Sequence, residues 1–155
     1  MAARRSSRPQ RHEKVTILVV TNGETTEIAY LKEVARRVNA DRPDLKVTVK
    51  ALPGSPEGAL KKLQSPHGDT SGYNEVWVVV DQDDFTDQAM KGFLQTCARR
   101  DNPKRQRWRG IVSRPCFETW LVAHYEPVKN YANQEEAQRH LGRITERSPN
   151  AKDLP

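Results

Sequence analysis

Cysteine, aromatic residues and long apolar runs are all scarce in this chain of 155 residues, which has two cysteines and 6% aromatic side chains. Cys97 and Cys116 fit no metal-ligand or disulfide spacing, so we expect reduced thiols. No apolar run approaches the roughly 20 residues of a membrane-spanning helix, and no signal-type apolar segment closely follows the basic N-terminus. A Gly-rich phosphate loop of the Walker type is also missing, which disfavours a stand-alone NTPase. We therefore expect a cytoplasmic protein without a membrane partner.

The composition favours one compact domain with polar ends. Apolar residues make up 35% of the chain and charged residues 30%, and the formal net charge is +6. Residues 1–13 are rich in Arg and Ser and lack a hydrophobic period, so we predict a disordered basic tail there. We predict a single α/β domain over residues 14–147 and a frayed tail over residues 148–155.

Apolar β-branched runs alternate with helical patterns along the chain. The patterns predict strands over residues 15–20, 46–51, 76–80 and 110–113. They predict helices over residues 24–40, 57–63, 88–100, 117–124 and 135–146, with Thr21 or Asn22 capping the first and Thr86 or Asp87 the third. This order is typical of a Rossmann-like three-layer domain, with a central, mainly parallel sheet of about four strands and helices on both faces. The strand over residues 46–51 alternates in polarity and is expected near an edge.

An acidic cluster follows the strongly apolar strand at residues 76–80. Asp81, Asp83 and Asp84 stand at this strand exit, and ligands bind at the carboxyl ends of strands in such sheets. Alternate residues of an extended chain point the same way, so the carboxylates of Asp81 and Asp83 would repel each other unless a divalent cation joined them. Mg²⁺ or Mn²⁺ suits such oxygen ligands. The alternative is an ordinary Asp-rich turn that caps the next helix.

Other acidic residues and one histidine are further candidates. Glu24 and Glu27 follow the first strand and can reach the same edge, although complementing the helix dipole would also explain them. Glu118 lies on a mostly apolar helical stretch and faces either solvent or the site. His124 is more commonly a packed or surface histidine than a ligand.

Positive charge is concentrated in the N-terminal tail and in one internal segment. Such patches attract nucleic-acid backbones and make binding sensitive to salt. The alternative is a solvated loop and a solubilising tail. Our candidates for contact with DNA or RNA are Arg99, Arg100, Lys104, Arg105, Arg107, Arg109 and Arg114.

Three ordered motifs resemble those of the RloB-like family, which is related to a component of the AbiL abortive-infection system. They are residues 19–27 (VVTNGETTE), 79–85 (VVDQDDF) and 113–124 (SRPCFETWLVAH), with a weaker echo at residues 152–155 (KDLP). The resemblance implies a Toprim-like fold, a role in defence against phages and an ATPase subunit as partner. It also implies that Asp81 and Asp83 hold Mg²⁺ for phosphodiester chemistry, with Asp84 adjacent.

The chain departs from the family pattern at Asn22, where a glutamate is usual, and the family pattern continues beyond the KDLP echo. An amide cannot serve as a general base, and loss of such a group typically costs on the order of 10²–10⁴ in rate. Glu24 is a candidate substitute. Three hypotheses remain open: a metal-dependent endonuclease, a catalytically inactive nucleic-acid-binding or partner-binding module, and a phosphatase in which Asp81 attacks phosphorus. The sequence does not indicate how many chains assemble.

Overall fold

A computed structural model describes residues 13–65, 68–83 and 85–147, apart from the side chain of Arg147. The strands are β1 (Val15–Thr21), β2 (Leu45–Ala51), β3 (Glu75–Asp81) and β4 (Arg107–Ser113). The helices are α1 (Thr26–Asp41), α2 (Pro56–Gln64), α3 (Asp87–Arg100), α4 (Glu118–Val122) and α5 (Gln134–Arg147). The predicted tails at residues 1–12 and 148–155 lie outside the described residues.

The four strands form one parallel sheet in the order β2-β1-β3-β4. This arrangement confirms the predicted parallel sheet of four strands and places β2 at an edge, as expected. The registers pair Thr21 with Val79 and Asp81 with Ser113. The carboxyl ends of β1, β3 and β4 therefore lie side by side.

Alternating side chains of the strands pack into two separate apolar layers, one on each face of the sheet. Leu18 and Val20 of β1 pack in the layer that contains Leu60 of α2 and Met90 of α3. Val19 packs on the opposite face in the layer that contains Leu31 of α1, with Trp120 of α4 against it. Helices thus cover both faces of the sheet, and the predicted three-layer α/β architecture is confirmed. Within the described residues, no helix has both the length and the apolar character that a bilayer crossing requires.

Some local predictions are wrong for identifiable reasons. Strand β4 begins at Arg107 rather than at residue 110, because the Asp101 carboxylate accepts from the Arg107 guanidinium at 2.8 Å and from the Trp108 amide at 2.9 Å. Helix α4 has five residues and is shorter than predicted. The Thr86 hydroxyl caps α3 as predicted, accepting from the Ala89 amide at 3.2 Å.

The predicted cap of α1 is also wrong. The N-cap residue of α1 is Thr25, and its side chain makes no capping hydrogen bond. The Thr21 hydroxyl instead accepts from the Gly23 amide at 3.1 Å. Asn22 points across the end of the sheet, as described below, so neither polar residue is available to the helix.

Candidate metal centre at the carboxyl edge of the sheet

Three buried polar side chains lie on one face of the sheet at its carboxyl edge. Thr21, Asp81 and Ser113 end β1, β3 and β4, and each is less than 7% exposed. Each of the three lies two residues after a member of the apolar layer beside α1. Because residues two apart in a strand point to the same face, all three lie on the α1 face of the sheet. A buried polar row at strand ends is costly unless its members find partners. The edge is therefore a candidate site rather than a continuation of the core.

Asp81 is the centre of this row. The residue is 6% exposed, and its Oδ2 accepts from the Phe117 amide at 3.2 Å. It also forms a hydrogen bond with the Glu27 carboxyl. Burial, this contact with Glu27 and the nearby charge of Asp83 raise the pKa of Asp81 to about 8, although the Phe117 amide acts in the opposite direction. The Asp81 carboxyl therefore keeps a proton to a higher pH than an isolated aspartate, and a hydrogen bond between two carboxyl groups requires such a proton.

Glu27 reaches Asp81 because the chain before α1 carries no side chain at Gly23. Glu27 lies in the first turn of α1, and its carboxyl folds back over the Gly23 backbone. A Cβ atom at position 23 would meet both the Cδ and the Oε2 atoms of Glu27 at a clashing distance. Glycine at this position is what allows the two acids to meet.

Gly23→Ala is expected to separate Glu27 from Asp81 and to shift the first turn of α1, because the added methyl group would also clash with the Cβ atom of Glu27. The added methyl group has to displace the Glu27 carboxyl, so the pKa of Asp81 should fall toward its ordinary value. Carbonyl-edited NMR titration of labelled aspartate would follow the change. Gly72→Ala is the matched control, because a Cβ there meets nothing within 4 Å. An unchanged Asp81 titration in Gly23→Ala would contradict the assignment.

Asp83 occupies a turn and not the continuation of the strand. Strand β3 ends at Asp81, and Asp83 has a φ of 42°, in the left-handed region. The Asp83 amide donates to the Pro115 carbonyl at 3.0 Å, which ties the turn to the segment after β4. The expectation that alternation along an extended chain aligns Asp81 with Asp83 is therefore wrong. The acid in hydrogen-bond contact with Asp81 is Glu27. Asp84 lies outside the described residues.

Asn22 joins three strand ends at the position where a glutamate is usual in the family pattern. Its Nδ2 donates to the Gly54 carbonyl at 3.1 Å, and its Oδ1 accepts from the Asp81 amide at 3.4 Å. Asn22 thus lies beside the acid pair and bridges β3 to the loop after β2. Glu24, the candidate substitute, is exposed and is not among the groups that shift the pKa of Asp81.

Glu118 and His124 lie on the same side of the sheet but outside the acid pair. Glu118 accepts from the Gln138 side chain at 3.2 Å and contacts the Cys116 thiol, so it connects α4 to α5. Burial and the contact with Glu118 raise the pKa of Cys116 to about 12, which leaves the thiol protonated. The Nε2 atom of His124 shares a hydrogen bond of 2.9 Å with the Tyr30 hydroxyl. Neither residue is in recorded contact with Asp81.

Most of the predicted nucleic-acid residues lie at the other end of the sheet. Arg107 begins β4 and Ser113 ends it, so the two ends are roughly 20 Å apart. Several of these cations already have partners within the domain: Arg107 pairs with Asp101 at 2.8 Å, and Arg109 contacts Glu75 at 3.7 Å. The Arg100 guanidinium lies 4.7 Å from the centre of the Trp108 ring. Arg114, by contrast, directly follows β4 at the carboxyl edge.

A family model described as "RloB-like protein" matches residues 17–153. The chain belongs to the RloB-like family. The matched range contains the whole polar row, the acid pair and Asn22. No curated protein and no solved structure matches the chain.

Two carboxylates and an unpaired hydroxyl make this edge of the RloB-like domain a suitable place for a small divalent cation. Mg²⁺ takes one or two protein carboxylates and keeps several of its waters. Within residues 13–65, 68–83 and 85–147, no cluster of three His, Cys, Asp or Glu residues that could hold a metal is found.

Ser113 and Phe117 are functional candidates that the sequence patterns did not indicate. The Ser113 hydroxyl is buried and has no hydrogen-bond partner within the described part of the chain. Such orphaned groups are rare and often mark a functional position. Phe117 contributes a backbone amide, which no side-chain pattern could reveal. The register that sets Ser113 beside Asp81 is the signal that could have identified it.

Proposed function

We propose that this RloB-like domain is a metal-dependent nuclease, with Mg²⁺ or Mn²⁺ held by Asp81 and Glu27. The observation that carries the proposal is the contact between these two acids at the carboxyl edge of a parallel sheet. A perturbed acid pair in such a position is typical of a catalytic site. The substrate class that we propose is DNA or RNA, in bacterial defence against phages by abortive infection.

Each residue of the site has a distinct part in this proposal. Asp81 and Glu27 would hold the ion through their carboxylate oxygens once the proton between them is lost. The Phe117 amide fixes Oδ2 of Asp81, and Asn22 orients the end of β3 through the Asp81 amide. A bound divalent ion polarises a phosphoryl oxygen and lowers the pKa of a bound water. Asp83 adds negative charge beside the pair and increases the attraction for a cation.

Glu27→Gln is expected to reduce Mg²⁺- or Mn²⁺-stimulated cleavage on the order of 10²-fold, because an amide is a poorer ligand for the ion and cannot transfer a proton. Cleavage of end-labelled single-stranded and double-stranded DNA and RNA would measure the loss, with EDTA as the metal-free reference. Glu24→Gln is the matched control, since Glu24 is exposed three residues before Glu27. Equal losses in the two variants would refute the role of Glu27. Absence of cleavage by the parent protein with either ion would refute the nuclease proposal.

A second candidate function is a binding module without catalysis, and Asn22 favours it. The position carries an amide that already makes two structural hydrogen bonds, to the Gly54 carbonyl and from the Asp81 amide. In that case the domain binds nucleic acid or a partner without cleaving. A partner ATPase, which the family resemblance implies, would be tested by co-purification with the product of an adjacent gene.

The phosphatase hypothesis receives less support from the geometry. A nucleophilic aspartate has to present an ionised oxygen to phosphorus. Asp81 is buried, shares its proton with Glu27 and accepts a backbone hydrogen bond at Oδ2. Failure to trap an aspartyl-phosphate on Asp81 is the expected result.

A further inference from the structure

A groove at the turn that follows Asp81 contains cations that the proposed function has not yet used. Its volume is about 460 Å³, within the range of ligand-binding clefts. The turn after β3 forms one wall with Gln82 and Asp83, and Arg114 lies at the end of β4. The segment before α5 forms the other wall with Lys129, Tyr131 and Gln134. We call this the Asp83 groove.

Two cations of the Asp83 groove are available to a ligand. Arg114 is half-exposed, and its nearest acidic partner is Asp87 at 3.8 Å, on a carboxylate that is itself largely exposed. Such a surface pair contributes little and is easily exchanged for a phosphate. Lys129 is exposed and has no ion pair recorded in the described part of the chain. Among the described residues that line the groove, the two cations face one carboxylate, that of Asp83, and Asp87 lies beside Arg114 outside the lining.

The outer wall of the groove is fixed in place by a chain of hydrogen bonds centred on a buried histidine. His140 of α5 is 6% exposed, and its Nδ1 lies 2.6 Å from the Tyr131 hydroxyl. Its Nε2 contacts the Glu126 carboxylate at 2.5 Å. These bonds connect the segment between α4 and α5 to α5 itself. The groove is therefore formed before a ligand arrives, which reduces the ordering cost of binding.

We infer that the Asp83 groove binds a backbone phosphate of an unpaired nucleic-acid strand next to the acid pair. This inference rests on the proposed function and specifies its substrate class. A concave groove of this volume admits about one nucleotide, whereas a duplex presents a broad convex surface. The aromatic lining at Tyr131 suits a nucleobase. The basic segment at residues 99–109 lies at the opposite end of β4, with several cations already partnered.

The test compares two pairs of cations in the full chain, with binding measured by fluorescence anisotropy in EDTA. The probe is a labelled oligothymidylate or oligouridylate strand. Arg114→Gln with Lys129→Gln is expected to weaken binding at least about 10-fold and to reduce the slope of log K against log salt by roughly 0.7, for one phosphate contact on a single strand. Lys14→Gln with Lys46→Gln removes the same charge at the amino ends of β1 and β2 and is expected to change affinity less than about threefold.

Several outcomes would overturn the inference. They are an unchanged affinity in the Arg114/Lys129 variant, an equal loss in the Lys14/Lys46 variant, or a larger loss in an Arg99→Gln/Lys104→Gln variant. Equal affinity for a duplex, or competition by a mononucleotide at the same concentration as the strand, would also overturn it. Melting temperatures of all variants would verify folding.

This experiment separates the inference from the nuclease proposal because it needs no metal and no cleavage. Groove-dependent binding by a protein that never cleaves would support the inference and refute the nuclease proposal. Metal-dependent cleavage that is undiminished in the Arg114/Lys129 variant would support the nuclease proposal and refute the inference.

Discussion

Asp81→Asn is expected to abolish metal-stimulated cleavage, by roughly 10⁴-fold, and at the same time to stabilise the metal-free protein at pH 8. The loss is placed at the upper end of the usual range because Asp81 contacts both Glu27 and the Phe117 amide. The gain in stability arises because the uncharged amide of asparagine can donate a hydrogen bond to the Glu27 side chain. It can also accept the hydrogen bond from the Phe117 amide. Asparagine thus retains the hydrogen bonds without the cost of a buried charge.

The stability change has a defined pH dependence. The pKa of Asp81 is raised in the folded state from its ordinary value of 3.8 to about 8, so the folded protein binds more protons than the unfolded chain between those values. The contribution of Asp81 is therefore fully present below about pH 4 and is lost as the pH rises through about 8. One pKa unit corresponds to about 1.4 kcal/mol, so even part of the shift is measurable as a change in Tm.

Thermal unfolding in EDTA from pH 4 to pH 9 would measure this dependence. The parent protein should lose stability over the interval, and Asp81→Asn should lose much less. Mg²⁺ should restore stability to the parent at pH 8 and have no effect on the variant. Asp69→Asn is a control, because Ser71 lowers the pKa of Asp69 below its ordinary value and this group therefore titrates below the measured interval. The variant should keep the parent's loss of stability from pH 4 to pH 9. A parent protein whose stability is constant from pH 4 to pH 8 would contradict the shared proton.

The sequence predicted the layers of this fold well because the apolar runs are unambiguous. Strands β1 and β3 are continuous β-branched runs, and such runs belong to strands that are buried on both faces. The start of β4 was missed because its first residues are Arg107, Trp108 and Arg109, which resemble a basic loop. They form a strand only when Asp101 pairs with Arg107 and Trp108 is buried in the core.

The position of the site could be predicted from the sequence, but the pairing of Asp81 with Glu27 could not. The carboxyl edge follows from the topology, and Asp81 is the last residue of the central strand β3. The contact between Asp81 and Glu27 depends on the space over Gly23 and on where α1 begins. The hydrophobic periodicity of the sequence predicts neither feature. The left-handed turn at Asp83 could not be predicted either, because the Pro115 carbonyl that accepts from the Asp83 amide is distant in sequence.

Asn22→Glu is the variant that distinguishes an incomplete metal site from a site with another purpose. A carboxylate at position 22 would be a third acid beside Asp81 and Glu27, so the metal-free protein should lose stability through like-charge repulsion and through the loss of the bond to the Gly54 carbonyl. Mg²⁺ should bind more tightly by at least about 10-fold, since each added carboxylate increases the charge that attracts the ion.

Isothermal titration with Mg²⁺, melting in EDTA and cleavage assays would follow these changes, and Asn22→Gln would control for the longer side chain without charge. Cleavage that increases on the order of 10²-fold in Asn22→Glu over the parent would identify position 22 as the missing acid of a weakened nuclease. Unchanged Mg²⁺ affinity in Asn22→Glu would instead show that the carboxyl edge is not a metal centre. The acid pair would then act as a shared-proton contact that holds α1 to the end of β3, and the Asp83 groove would be the functional surface of the domain.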